Sequence, residues 1–212
     1  MKNLFLASVA RNTLDIFVKS LKRPASKLKV AFIPTAGNLI VDNWFVLEDR
    51  KKLLELGFSV IDINLEGKIA KELSKEMIEI DIVFFAGGNT FYLLQEVRKS
   101  GFDKIVIEFV NQGGMYIGSS AGTLLAGPSI ELAKDIDNQN EAPDLKSFDA
   151  LSLIDFVILP HYDDEDFKEK IDQNLLKNKN HEYEIVTICD DQAVAVNDDS
   201  IKIVKSDTKE LK

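Results

Sequence analysis

Short runs of valine, isoleucine, leucine and phenylalanine alternate along the chain with longer stretches in which apolar residues recur every three or four positions. A run of four to six apolar residues with no polar alternation reads as a strand buried on both faces, and such strands occur in parallel sheets covered by helices. The pattern therefore predicts an α/β domain with a largely parallel sheet and helices on both faces. Strands are predicted over 4–9, 29–34, 59–64, 81–86, 115–118, 156–159 and 184–189, and helices over 13–22, 43–56, 69–77, 91–99, 102–111 and 166–177. Most of the crossovers are long enough for parallel pairing. Two last runs, 193–196 and 201–204, flank Asn197-Asp198-Asp199-Ser200 and predict an antiparallel hairpin, so the sheet should be mixed at one edge. A length of 212 residues fits a single domain over 1–212.

Composition excludes several classes. With 45% hydrophobic and 29% charged residues the chain has the balance of a globular protein, not of a disordered one. Its longest apolar runs, such as 82–86 and 156–160, fall far short of the roughly 20 residues a membrane helix needs, so no membrane partner is expected. Against 26 basic side chains stand 35 acidic ones, a net charge of −9 that repels polyanions, so no nucleic-acid partner is expected either. The single cysteine, Cys189, allows no intramolecular disulfide, and with no export signal the cytoplasm is the expected compartment. His161 and His181 stand 20 positions apart and no Cys/His cluster accompanies them, so neither a metal nor another cofactor is expected. The acidic run Asp163-Asp164-Glu165-Asp166 reads as a solvated helix start.

The sharpest local signal is Gly118-Ser119-Ser120-Ala121-Gly122, which follows the apolar Met115-Tyr116-Ile117 and precedes the helix-compatible Thr123-Leu124-Leu125-Ala126. A G-x-S-x-G pentapeptide between strand and helix is the context of a nucleophile elbow. The central residue of such a turn is strained, so residues two positions to either side must be small. Ser120, not Ser119, is then the exposed hydroxyl; a plain small-residue turn is the competing reading. A second glycine-rich turn, Gly87-Gly88-Asn89-Thr90, follows the strand predicted over 81–86 and reaches the same sheet edge, where open parallel sheets carry their sites. The amides of Gly88 and Ala121 would supply an oxyanion hole. Neither phosphate-binding spacing, GxxxxGK[ST] or GxGxxG, is present.

A serine nucleophile needs a base. His161 ends the run Phe156-Val157-Ile158-Leu159-Pro160 and should reach the same edge, whereas His181 lies in a polar connection and reads as solvated. For the orienting acid, Asp190 and Asp191 both follow the strand predicted over 184–189 and so reach the same edge; Asp191 is favoured, and Asp190, Asp135, Asp137 and Asp163 stay open. The irregular segment between Ala126 and Asp155 is long enough to be functional or mobile.

With the elbow, the Gly87-Gly88-Asn89-Thr90 turn and Leu159-Pro160-His161 in this order, the chain resembles the dipeptidase E family of serine peptidases, peptidase family S51. The likeness runs from Phe32-Ile33-Pro34-Thr35-Ala36-Gly37 to Asp191-Gln192. It implies a flavodoxin-like fold of the class I glutamine amidotransferase-like group and a serine peptidase acting on small peptides, in the best-known members dipeptides with an N-terminal aspartate. Ser120 is implied as nucleophile, His161 as base, Gly88 and Ala121 as oxyanion donors and Asp191 as acid, where some members carry glutamate. An aspartyl side chain calls for a cation, yet the four arginines, Arg11, Arg23, Arg50 and Arg98, all lie in the N-terminal half, leaving Lys168 or Lys170 as weaker substitutes. An ester or other acyl hydrolase, and a catalytically silent binding protein of the same fold, are the alternative readings. A glutamine amidotransferase would need a cysteine where Ser120 stands. Periodicity identifies no interface, so the oligomeric state is left open.

Overall fold

The computed structural model describes residues 2–198 and 200–206, so Asp199 of the predicted hairpin turn lies outside the described residues. In chain order the elements are β1 (Asn3–Ala7), α1 (Ala10–Ser20), β2 (Lys29–Ile33), α2 (Trp44–Glu55), β3 (Ser59–Asp62), α3 (Ala70–Glu76), β4 (Ile82–Phe85), α4 (Thr90–Ser100) and α5 (Phe102–Asn111). They continue with β5 (Met115–Ser119), α6 (Ala121–Leu125), β6 (Val157–Leu159), α7 (Glu165–Lys177), β7 (Ile185–Thr187), β8 (Gln192–Asn197) and β9 (Ser200–Lys205). Seven strands form one sheet in the order β3-β2-β4-β5-β1-β8-β9. The first five are mutually parallel, and β8 and β9 add antiparallel at one edge. This is the α/β, flavodoxin-like architecture that the alternating pattern and the resemblance led us to expect.

Strand side chains alternate between the two faces, and here both faces are buried. Leu4 and Leu6 of β1, Ala31 and Ile33 of β2, and Val83 and Phe85 of β4 enter one core together with α3, α4, α5 and α6. Their neighbours Phe5, Phe32, Ile82 and Phe84 enter a second core under α1 and α2. Phe32 stacks on Phe84 with ring centroids 5.1 Å apart; burying one such ring contributes about 1.5–3 kcal/mol. Helices on opposite faces thus follow neighbouring strands, which opens a crevice at the strands' carboxyl ends. The register aligns those ends, with Gly118 flanked by Leu6 on one side and Phe85 on the other.

Strands β6 and β7 pair only with each other, as a separate parallel sheet. The large sheet has no place for them beside β1, because β8 occupies that edge. They pack instead into the core under α6, through Val157, Ile158 and Leu159. The irregular segment before them is anchored: Ile130, Leu132 and Ala133 are buried, and Arg98 donates to the carbonyls of Ser147 and Asp149.

Candidate active site

Strand β5 ends at Ser119, and the chain reverses into α6 through Ser120, whose backbone sits at φ 49°, ψ −105°. A non-glycine residue with positive φ is strained and persists only where its surroundings fix it. Here the Ser120 N–H donates to the carbonyls of both Ala7 and Ser8, at 3.1 and 3.0 Å. The flanking glycines have steric reasons to be glycines: a Cβ on Gly118 would lie 2.6 Å from the Gly122 carbonyl, and one on Gly122 would lie 2.3 Å from the Phe85 carbonyl oxygen. Ser119 is buried and faces α1, where its hydroxyl accepts the Ala10 N–H at 3.1 Å. Ser120 is the hydroxyl that opens onto the crevice.

His161 follows β6, also at positive φ, 64°. Its Nε2 lies 2.9 Å from Ser120 Oγ and its Nδ1 lies 2.7 Å from Asp190 Oδ1. The ring stacks on Phe167 of α7 with centroids 5.2 Å apart, which fixes its plane. Ser8, at the end of β1, ties the group together: its hydroxyl donates to Asp190 Oδ1 at 2.6 Å and accepts the His161 main-chain N–H at 2.8 Å. Burial pushes the Asp190 carboxyl up, but the hydrogen bond and charge of His161, the Ser8 hydroxyl and the Arg11 guanidinium outweigh it and hold the pKa below the usual carboxylate range.

Asp191, expected at the imidazole, is not there. It pairs with Lys205 of β9 at 3.0 Å, because the turn after β7 points adjacent side chains in different directions. The carboxylate on the ring is Asp190, one of the alternatives. Asp163 receives the Asp190 N–H at 2.8 Å and so holds that turn in place. Asp137 accepts from the Thr90 N–H and hydroxyl at 2.9 and 2.5 Å, and burial raises its pKa. Asp135 bonds Asn174 at 2.9 Å, away from the ring. His181 sits beside Tyr183, outside the crevice. Lys168 and Lys170 lie over Tyr162 and Phe167, and neither lines the crevice.

Gly88 lines the crevice beside Ser120. Its φ is +138°, and a Cβ would sit 2.2 Å from the Ala36 carbonyl oxygen, so only glycine fits this turn. Among the described residues neither the Gly88 nor the Ala121 amide donates a hydrogen bond to the protein. His161, Asp164 and Asp190 bring possible ligand atoms within 4.8 Å of one another, but both ring nitrogens of His161 are already engaged.

Ser8 and Asp49, which also line the crevice, carried no signal in the sequence, and Arg11, set aside with the other arginines for lying in the N-terminal half, lines it too, because α1 starts at the same sheet edge. Ser8 was findable, since it follows the first strand at the edge where the other site residues gather. Asp49 is buried in α2, where burial lifts its carboxyl from 3.8 to about 6 against the opposing pull of the Ser119 hydroxyl and Arg11. A hydroxyl bonded to an imidazole that is itself held by a carboxylate is the arrangement used in nucleophilic acyl transfer.

The sequence profile of peptidase family S51 matches residues 4–204. The chain belongs to peptidase family S51. It is 33% identical over 201 residues to an uncharacterised peptidase of Listeria innocua, with 95% of each chain covered. It is 37% identical over 133 residues to Peptidase E of Salmonella typhi, a match that covers 62% of this chain and 54% of that one. The crystal structure of a Listeria monocytogenes protein described as a candidate Peptidase E superposes with a TM-score of 0.90 at 32% identity, covering 97% of this chain and 98% of that chain. As a member of S51 the protein is a peptidase, and so a hydrolase. Among the described residues, no helix is long and apolar enough to cross a membrane.

Proposed function

We propose that this S51 peptidase hydrolyses dipeptides and similarly small peptides through an acyl-enzyme on Ser120. His161 Nε2 takes the Ser120 proton as Oγ attacks the scissile carbonyl, and Asp190 stabilises the imidazolium from the other side. The amides of Gly88 and Ala121 receive the oxyanion. As the tetrahedral intermediate collapses, His161 returns the proton to the leaving amine; water, activated by the same imidazole, then releases the acid and regenerates Ser120.

The observation that carries this reading is the imidazole bridging Ser120 Oγ at 2.9 Å and Asp190 Oδ1 at 2.7 Å. A small substrate is in keeping with the crevice, whose volume of about 490 Å³ lies within the ordinary range of small-molecule sites, about 300–1,000 Å³.

The test compares wild type and Ser120→Ala on a panel of dipeptides, aspartyl ones included, and short-chain esters. Loss of the catalysed rate by about a thousandfold or more, in a variant with wild-type circular dichroism, is expected. Equal rates would remove Ser120 from the mechanism, ester cleavage without peptide cleavage would favour the acyl hydrolase, and failure of a fluorophosphonate to label Ser120 would favour the silent protein.

A further inference from the structure

The crevice is strongly acidic. Asp49, Asp137, Glu141, Asp164 and Asp190 all line it, and Arg11 is the one permanent cation among its described lining residues. An arginine so surrounded would be expected to spend its fork on a carboxylate, yet it does not. Its nearest approach to Asp49 is 3.8 Å, a charge contact, and the hydrogen bond to Asp49 comes from the Arg11 main-chain N–H at 3.1 Å. The guanidinium carbon lies over the Trp44 ring, 4.9 Å from its centroid. A cation–π contact of this kind is electrostatic and takes up none of the guanidinium's hydrogen-bonding capacity for a carboxylate. No hydrogen bond from the guanidinium to the protein is made among the described residues.

The two faces of the sheet give the crevice polarity. Arg11, Trp44 and the buried Asp49 come from α1 and α2, over one core, whereas Asn89, which caps α4, and Asp137 and Glu141, from the segment after α6, lie over the other. Asn89 Nδ2 holds Glu141 at 2.7 Å. Ser120 lines the same crevice, and Arg11 lies three residues beyond Ser8, whose hydroxyl meets Asp190 and the His161 amide. A dipeptide zwitterion, spanning roughly 7 Å when extended, carries charges complementary to such a crevice: its ammonium would face Asp137 and Glu141, its scissile carbonyl Ser120, and its carboxylate Arg11.

We propose that Arg11 is the specificity-determining residue that receives the C-terminal carboxylate of the substrate, so that this peptidase requires a free C-terminus one residue beyond the scissile bond. The inference rests on peptide hydrolysis at Ser120. Arg11 takes no part in the chemistry; it binds the leaving residue and aligns the carbonyl.

The experiment compares kcat/KM for Ala-Leu and Ala-Leu amide in wild type, Arg11→Gln and Arg11→Lys, with Asp-Leu and Asp-Leu amide as the second pair. Wild type should prefer each acid over its amide by about tenfold or more, as expected of a charge-assisted bidentate contact. In Arg11→Gln that ratio should fall to near one, and Arg11→Lys should restore part of it. A purely structural role as counter-ion to Asp49 lowers both members of each pair and leaves the ratio intact, which would overturn the proposal. A loss confined to the aspartyl substrates, amide included, would also overturn it by assigning Arg11 to the side chain. If wild type cleaves none of them, peptide hydrolysis itself has failed. The same acid-to-amide ratio, read as binding to Ser120→Ala and to Ser120→Ala/Arg11→Gln, then decides the role of Arg11 separately, and absent or equal binding refutes it.

Discussion

At the scale of single residues, the acid partner of His161 turns on two aspartates that are neighbours in sequence and differ in everything else. Asp190 accepts from Ser8 and touches the imidazole, while Asp191 faces Lys205. An amide at 190 would present the wrong group to Nδ1 and leave the ring in the wrong tautomer, so Asp190→Asn should lower kcat by about 10²- to 10⁴-fold. Asp191→Asn should change kcat by no more than a few-fold, because its partner is the exposed Lys205 on β9 and it makes no contact with the imidazole. Steady-state kinetics on the fastest dipeptide, with circular dichroism to confirm folding, separates them; similar losses in both would place the acid elsewhere. Ser120 and His161 could be read from sequence because each ends an apolar strand run beside a diagnostic turn. The choice between 190 and 191 could not, since it depends on which way a tight turn faces, and spacing does not encode that.

Secondary-structure elements place these residues through close approach of backbones. The elbow works because α6 starts directly on top of β4 and β5, with Tyr116 donating to the Gly122 carbonyl at 2.6 Å and Thr123 to the Ala7 carbonyl at 2.7 Å. In Gly122→Ala the new methyl would meet the Phe85 carbonyl oxygen at 2.3 Å, and a strand in the middle of the sheet cannot retreat. Overpacking of this kind costs about 1–3 kcal/mol, and in a chain of this size each kcal/mol shifts Tm by about 2–4 °C. Gly122→Ala should therefore unfold several degrees earlier and lose most of its activity, because Ser120 rides on the displaced turn. A thermal scan together with an activity assay checks both, and an unchanged Tm would mean that the helix start is not held against β4. Among the described residues, all nine strands and the six longer helices were legible from apolar periodicity. The start of α1 was not: it lies at Ala10 rather than 13 because its first N–H is capped by Ser119, 109 positions away. Local sequence carries no trace of a cap supplied by another strand.

Across the whole molecule, the order of strands and the separation of β6 and β7 are tertiary outcomes, set by which edge of β1 the hairpin occupies. The site nevertheless joins both sheets, since Ser120 follows β5 and His161 follows β6. If the small sheet opened on its own, the imidazole would leave while the large sheet stayed intact. Its packing argues against that: Val157, Ile158 and Leu159 belong to the same continuous core as Leu124, Leu125 and the inward residues of β1 and β4. The two cores are in turn the two faces of one sheet, so neither survives loss of the other. The described residues are therefore proposed as one cooperative domain, in line with the single domain expected over 1–212. Calorimetry should give a single transition whose calorimetric and van 't Hoff enthalpies agree, and activity should fall over the same temperature range as the near-ultraviolet circular dichroism. A peptidase activity lost well before the global transition, or a resolved earlier peak, would show instead that the β6–β7 unit melts independently and that the site is assembled from two separable parts.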